Sequence, residues 1–314
     1  MPYLYNLHGL IVGSEFEFPE LELRRRHAGE PNLHVAMGEA KQAPVTTDRM
    51  PFLELENGQE PRNGHASLMV PGVARYRVCD GRAVLVEPDP NADPALVRLF
   101  ILGSVMAIVC HQRGLIPLHA SAIEYAGEAI AFVGHPGDGK STLAAHCLAH
   151  GPVRLIADDL VAVFFDQSGR PWVNPGMPSV KLWRDTLEAL GRSSEGLRRD
   201  WFRADKFHLP ICVQRSERPL PLTRIYVLAE DDDAGPGRIE PIKGAAAAAA
   251  LIVHTSGIEK LVGMSDRPGH FAMTAQLAAK ISVRLLARRR DLAHVATTAA
   301  AVLADLQPAS EAAP

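Results

Sequence analysis

AIAFVGHPGDGKST, residues 129 to 142, decides how this chain is read. Gly134, Gly139, Lys140 and Ser141 complete the Walker A pattern G-x-x-x-x-G-K-[ST], in which glycines let the backbone curl with its N–H groups aimed inward at an anion. Chance would give this pattern in on the order of one per cent of chains of this length, so the flanks matter. Ala129 to Val133 leads in as an apolar strand, and residues 142 to 148 lead out as a helix that closes at Gly151. A strand, a glycine loop and a new helix N-terminus bring unsatisfied donors and the positive end of the helix dipole to one point. The pattern therefore predicts a phosphate cradle over Gly134, His135, Pro136, Gly137, Asp138, Gly139, Lys140, Ser141 and Thr142. Lys140 would meet the outer phosphates and the Ser141 hydroxyl would be a ligand of Mg²⁺. The bland alternative is a glycine turn that opens a helix.

Just downstream, VRLIADD, residues 153 to 159, is an apolar strand ending in two carboxylates. On an extended strand end, Asp158 and Asp159 would point to opposite sides, one toward a metal and the other toward a substrate hydroxyl. Just upstream, Leu115 to Ala120 reads as a strand in which His119 occupies an otherwise apolar position. A lone histidine of this kind is more often structural than catalytic. Lys181 and Lys206 read as loop cations beside the site, where they could meet a transferred phosphate or simply face solvent. Arg284, on an apolar strand, suits either a buried anion contact or a core ion pair.

The remainder sets the frame. Residues 1–92 read as a β-rich N-terminal domain, with Asp80-Gly81 as a hairpin turn. Asp93-Pro94 opens a helix running to about Arg113, apolar on nearly every face and hence buried. Residues 93–307 alternate apolar strands with helices, the texture of a layered α/β domain, and 308–314 read as a disordered tail. Lys and Arg total 33 against 36 Asp and Glu, so no global basic field recommends nucleic acid. The triplets Arg24-Arg25-Arg26 and Arg288-Arg289-Arg290 could bind phosphate or an acidic peptide, the blander reading being a solvated surface. Four dispersed cysteines, Cys79, Cys110, Cys147 and Cys212, suggest neither disulfides nor zinc. No signal peptide is read at the start, and Leu99 to Cys110 is too short to span a bilayer, so a cytoplasmic protein without a membrane partner is expected.

LHASAIEYAGEAIAFVGHPGDGKSTLAAHCLAHGPVRLIADDLVAV, residues 118 to 163, resembles the core of the HPr kinase/phosphorylase family. The order is distinctive: a leucine-histidine strand before the loop, then an alanine-aspartate-aspartate strand with Asp158 only 18 positions after Lys140. The resemblance is specific over residues 115 to 165 and looser from 92 to about 300. It implies an α/β fold in which a phosphoenolpyruvate-carboxykinase-like P-loop kinase domain follows the β-rich domain. It also implies His119 as the active-site histidine, Asp159 as general base, Asp158 as the metal-side acid, and ATP and Mg²⁺ as cofactors. Which aspartate takes which role stays open. The family's Glu-x-Arg-Gly signature is missing, and the chain instead reads RPWVNPGMPSVKLW at 170 to 183. The sequence thus looks more like a divergent branch, some of whose members modify the C-terminal serine of lasso-peptide precursors. The expected activity is transfer of the γ-phosphate of ATP to a serine of a peptide or protein. The competing readings are a nucleotide-binding regulatory module without transfer and a small-molecule kinase. Family members are often hexameric, so a homo-oligomer is expected by analogy.

Overall fold

Alternating burial organises the first part of the chain. In the computed structural model, which describes residues 2–24, 29–39, 52–55, 65–201, 203–235, 237–256 and 267–307, two units are distinguished. The first comprises residues 1–118, 162–164 and 255–274. Its seven-stranded sheet runs, in spatial order, Tyr3–Leu7, Leu10–Ser14, Leu33–Met37, Ala83–Pro88, Ala74–Cys79, His65–Val70 and Phe52–Leu55. Ala66, Leu68 and Val70 alternate inward on one strand and Ala74, Tyr76 and Val78 on the next, as a half-buried sheet requires. Asp80 and Gly81 both take positive φ and close the hairpin there.

The helical stretch that follows starts as its sequence dictates. Asp93 caps it by accepting the Ala95 N–H at 2.7 Å, and Pro94 takes the first position. Pro94–Phe100 passes through a π-helical turn, Ile101–Val105, into Met106–Gln112, and Gly114 follows at positive φ. The whole run, 19 residues, is long and apolar enough to cross a bilayer by length and composition, which corrects the shorter estimate from Leu99 to Cys110. Two thirds of it is nevertheless buried inside the protein, as in a core helix. The Tyr76 hydroxyl donates to the Val97 carbonyl at 3.1 Å and its ring packs against Phe100.

The second unit, residues 119–161, 165–254 and 275–314, is a mixed α/β layer. Its sheet runs Val153–Asp158, Ala120–Tyr125, Glu128–Val133, Leu220–Glu230, Ser282–Arg288, Arg238–Ile242. The three central strands from Glu128 onward are parallel, and the two before them are antiparallel neighbours. Helix Lys140–His150 packs Leu143, Ala144, Cys147 and Leu148 against Ile130 and Phe132 of the sheet and Val295, Ala299 and Val302 of helix Leu292–Leu306. A separate small sheet pairs Ser179–Trp183 with Lys206–Pro210 and Arg198–Arg199. The four cysteines are free thiols. The expectation for residues 308–314 lies outside the described residues, as do Arg25 and Arg26.

Candidate functional site

Register explains why distant residues meet. Val133 lies beside Ala120 on one side and Val227 on the other, and Ser121 lies beside Asp158. The parallel strand therefore ends, and its antiparallel neighbour begins, at one level of the sheet. Gly134 leaves the first at that level, His119 enters the second, and Asp158 ends the third. In an open α/β sheet this carboxyl-end crevice is where ligands bind.

Gly137 and Gly139 take the positive φ that the curled loop needs, at 96° and 79°, and Lys140 starts the helix. The Lys140 ammonium is buried and donates to the carbonyls of Gly134 and His135 at 2.9 and 3.0 Å. Burial pulls its pKa down to about 8, against the opposing pull of the Asp138, Asp158 and Asp159 carboxylates. Asp138 accepts the His135 N–H at 2.5 Å, so a loop carboxylate holds one of the inward donors.

Asp158 is almost fully buried and accepts three hydrogen bonds: from the Ser141 hydroxyl at 2.8 Å, from the Ser121 hydroxyl, and from the Lys181 backbone N–H at 2.8 Å. Asp159 lies just beyond the strand end at φ 74°. The expected extended alternation does not hold there, because the left-handed residue turns the chain. Both carboxylates instead meet Lys181, Asp158 through its backbone and Asp159 through its ammonium at 2.6 Å. Burial alone would raise the Asp159 pKa, but Lys181 and His119 outweigh it and hold the carboxyl well below the usual carboxylate range.

The expected strand from Leu115 to Ala120 is broken at His119, between Ile116–Leu118 and Ala120–Tyr125. The His119 N–H donates to the His254 carbonyl at 2.8 Å, and its Nδ1 lies 3.1 Å from the Asp159 carbonyl and 3.4 Å from Asp159 Oδ1. Both neighbours are acceptors, so Nδ1 carries the proton and Nε2 is left free to accept. Burial lowers the His119 pKa, opposed chiefly by the Asp159 charge. His135 and His254 stack edge to face at 5.3 Å beside the loop.

Lys181 and Lys206 are strand residues, not loop residues. Alternation decides where they face: Val180 and Leu182 are buried in the core, which leaves Lys181 on the other face, toward the acids. Lys206 pairs in register with Trp183, and its ammonium lies over that ring at 5.9 Å without an ion pair among the described residues. Burial lowers its pKa, and the nearest opposing charges are Asp158 and Asp159. Arg284 takes the ion-pair alternative: its guanidinium bonds Asp305, which also takes Arg224 at 2.8 Å and the Tyr226 hydroxyl at 2.5 Å.

Sequence reasoning missed two residues here and left a third open. Ser121 lies two positions after His119, and only strand register ties it to Asp158. His254 joins through its carbonyl and ring. Arg288, for which the sequence left open an anion contact or a solvated surface, is not solvated: it is 4% exposed and donates to the Asp138 carbonyl.

A hydroxyl and a carboxylate oxygen within 2.8 Å form a hard-oxygen pair that fits magnesium, which takes few protein ligands and fills its shell with water and phosphate oxygens. Among the described residues no group of three or more His, Cys, Asp or Glu forms a dedicated metal cage.

No family model and no curated protein matches the chain. Among solved structures it is similar to the Hpr(Ser) kinase/phosphatase from Coxiella burnetii, at 11% identity over 61% of this chain and 99% of that one. The TM-score is 0.30, too low for that likeness to carry an argument.

Proposed function

We propose that the chain is a phosphotransferase that moves the γ-phosphoryl group of ATP, with magnesium, onto a serine hydroxyl of a peptide or protein. The observation that carries this reading is the meeting of Ser141, Asp158, Asp159 and Lys181 beside Lys140 at the mouth of a glycine loop. A plain structural turn has no use for two lysines and two carboxylates at its rim. The sequence resemblance to HPr kinases supports the same reading and assigns the residues the same order.

Phosphoryl transfer asks a protein mainly to position two reactants and neutralise charge. In this proposal the loop N–H groups from Gly134 to Thr142 and the Lys140 ammonium bind the polyphosphate, the ammonium exchanging its carbonyl partners for phosphate oxygens. Ser141 and Asp158 would hold magnesium, which when bound neutralises phosphate charge. Asp159 orients the acceptor hydroxyl, whose oxygen forms the new P–O bond as the bond to the β-phosphate bridge oxygen breaks, leaving ADP. The hydroxyl proton passes to Asp159. Since Lys181 and His119 keep that carboxylate anionic, it is a weak base, and the transfer of the proton comes late. Lys206, without an ion pair among the described residues but within the electrostatic pull of both acids, is the cation available to the phosphoryl group in flight.

The acceptor class extends the proposal: a serine-bearing peptide, with a lasso-peptide precursor as the first candidate on the resemblance, acted on in the cytoplasm by a homo-oligomer. A labelled-ATP assay on candidate peptides tests the activity. Lys140→Ala and Asp159→Asn should each lower transfer by at least about a hundredfold, and undiminished transfer in both variants refutes the reading.

A further inference from the structure

We propose that Arg288 is a second cation of the phosphate loop, a ligand for the phosphate chain of the nucleotide. This rests on the nucleotide-binding part of the reading above and adds to it a residue from the far side of the sheet in sequence, 148 positions after Lys140.

Arg288 is the last residue of the strand Ser282–Arg288, whose Leu285 lies beside Val227, itself beside Val133. The strand therefore runs three residues past that level, which carries Arg288 alongside the loop that Gly134 opens. The residue is 4% exposed. Nη2 donates to the Asp138 carbonyl, and Nη1 reaches the carbonyl of the adjacent Arg289 at 3.3 Å. Nε is buried with no hydrogen-bond partner. No carboxylate forms an ion pair with it among the described residues.

The rest of the triplet behaves differently. Arg289 reaches out to the Asp232 carbonyl at 3.0 Å, and the half-exposed Arg290 pairs with Glu230 at 3.5 Å. The arginine that most needs a counter-ion is the one that lacks it. A guanidinium does not shed its proton in a protein, and a buried charge without a partner is costly. The missing anion must then come from outside the chain, and the loop beside Arg288 is built of inward N–H donors.

The contact with the loop is close. A Cβ placed on Gly139 would lie 2.9 Å from Arg288 Nη2, and one on Gly137 would lie 3.3 Å from Arg290 Nη2. Gly139 is thus demanded twice, by its φ of 79° and by the guanidinium lying against it. A planar fork with an unused donor, seated on a phosphate loop, matches the geometry by which arginine takes phosphate oxygens in pairs.

Titration calorimetry on the full chain with MgATP and with tripolyphosphate, together with thermal melting of the ligand-free protein, tests the proposal. Arg288→Met should weaken both ligands by at least about tenfold, the worth of one charge-assisted hydrogen bond. Arg288→Lys should recover part of the loss. The melting temperature without ligand should not fall, because removing a buried charge that has no counter-ion offsets the loss of its two carbonyl bonds. Wild-type affinity in Arg288→Met overturns the proposal, and so does a lower melting temperature with unchanged affinity of the folded protein, the mark of a mere staple between strand and loop. Arg288→Gln carries the same test should the methionine variant not fold. Lys140→Ala, run in parallel, separates the two levels. If it binds MgATP as wild type does, the phosphate-loop reading falls with the inference; if it alone weakens binding, only the role of Arg288 falls.

Discussion

The strand Ser282–Arg288 carries a guanidinium near each end, and the two are treated in opposite ways. At the start, Arg284 shares Asp305 with Arg224 and Tyr226, so two cations and a phenol converge on one carboxylate from the C-terminal helix. At the end, Arg288 is more deeply buried and meets only carbonyls. A group whose partner is encoded in the chain serves the fold. A group further removed from water but left without its counter-ion is stabilised only when something else arrives, and its position beside the glycine loop says what that is.

Removing the shared carboxylate should give the largest effect. Asp305→Ala strands Arg224, Arg284 and Tyr226 together, and should destabilise the protein by roughly 4 kcal/mol in urea unfolding. MgATP affinity of the folded molecule should stay at the wild-type level, since none of these groups touches the loop. A matching loss of affinity would mean that the two ends of the strand are not independent.

A buried group with neither partner nor ligand is the third case. His8 is buried in the first unit with both ring nitrogens unpartnered, and desolvation pushes its pKa from 6.5 to about 4. The unfolded chain takes up the proton first as pH falls, so the contribution is full above about pH 6.5 and is lost on acidification toward pH 4. That loss amounts to about 3 kcal/mol. Melting temperatures between pH 7.5 and 4.5 should fall less steeply in His8→Asn, which tolerates the φ of 52° and does not titrate.

Glycine substitution sharpens the comparison at smaller scale. Gly127→Ala, at φ 83° with open space around it, should cost only the left-handed strain, about 1 to 2 kcal/mol. Gly139→Ala carries the same strain and also strikes Arg288, so it should lose in addition MgATP affinity that Gly127→Ala keeps. Equal affinities would remove Arg288 from the loop's chemistry. The smallest effect is electrostatic. Lys181→Met takes away the cation that holds Asp159 low, so the acid limb of the transfer rate, which needs that carboxylate ionised, should move to higher pH; an unmoved limb would deny Asp159 its role.

Much of the site was legible because it is local. The spacing of Gly134, Gly139, Lys140 and Ser141 forces a turn into a helix, and the apolar runs on either side can only be a strand and a packed helix. Asp93 and Pro94 announced a helix start by capping chemistry alone. Side-chain direction at Asp158 and Asp159 was not legible, because alternation presumes extended backbone and Asp159 is left-handed. Lys181 and Lys206 looked like loop cations because their strands are short and find partners only across sequence, Lys181 opposite His208 and Trp183 opposite Lys206.

The sequence by itself determined that a curled glycine loop with a lysine and a hydroxyl follows a strand, and that two acids end another strand soon after; these depend on backbone preferences within a dozen or so residues. Tertiary structure alone decided that Asp158 meets Ser141 and Ser121, that Arg284 is neutralised by Asp305, and that Arg288 is not. Those outcomes are set by strand register and by the packing of the last helix, which bring together residues that no local spacing relates.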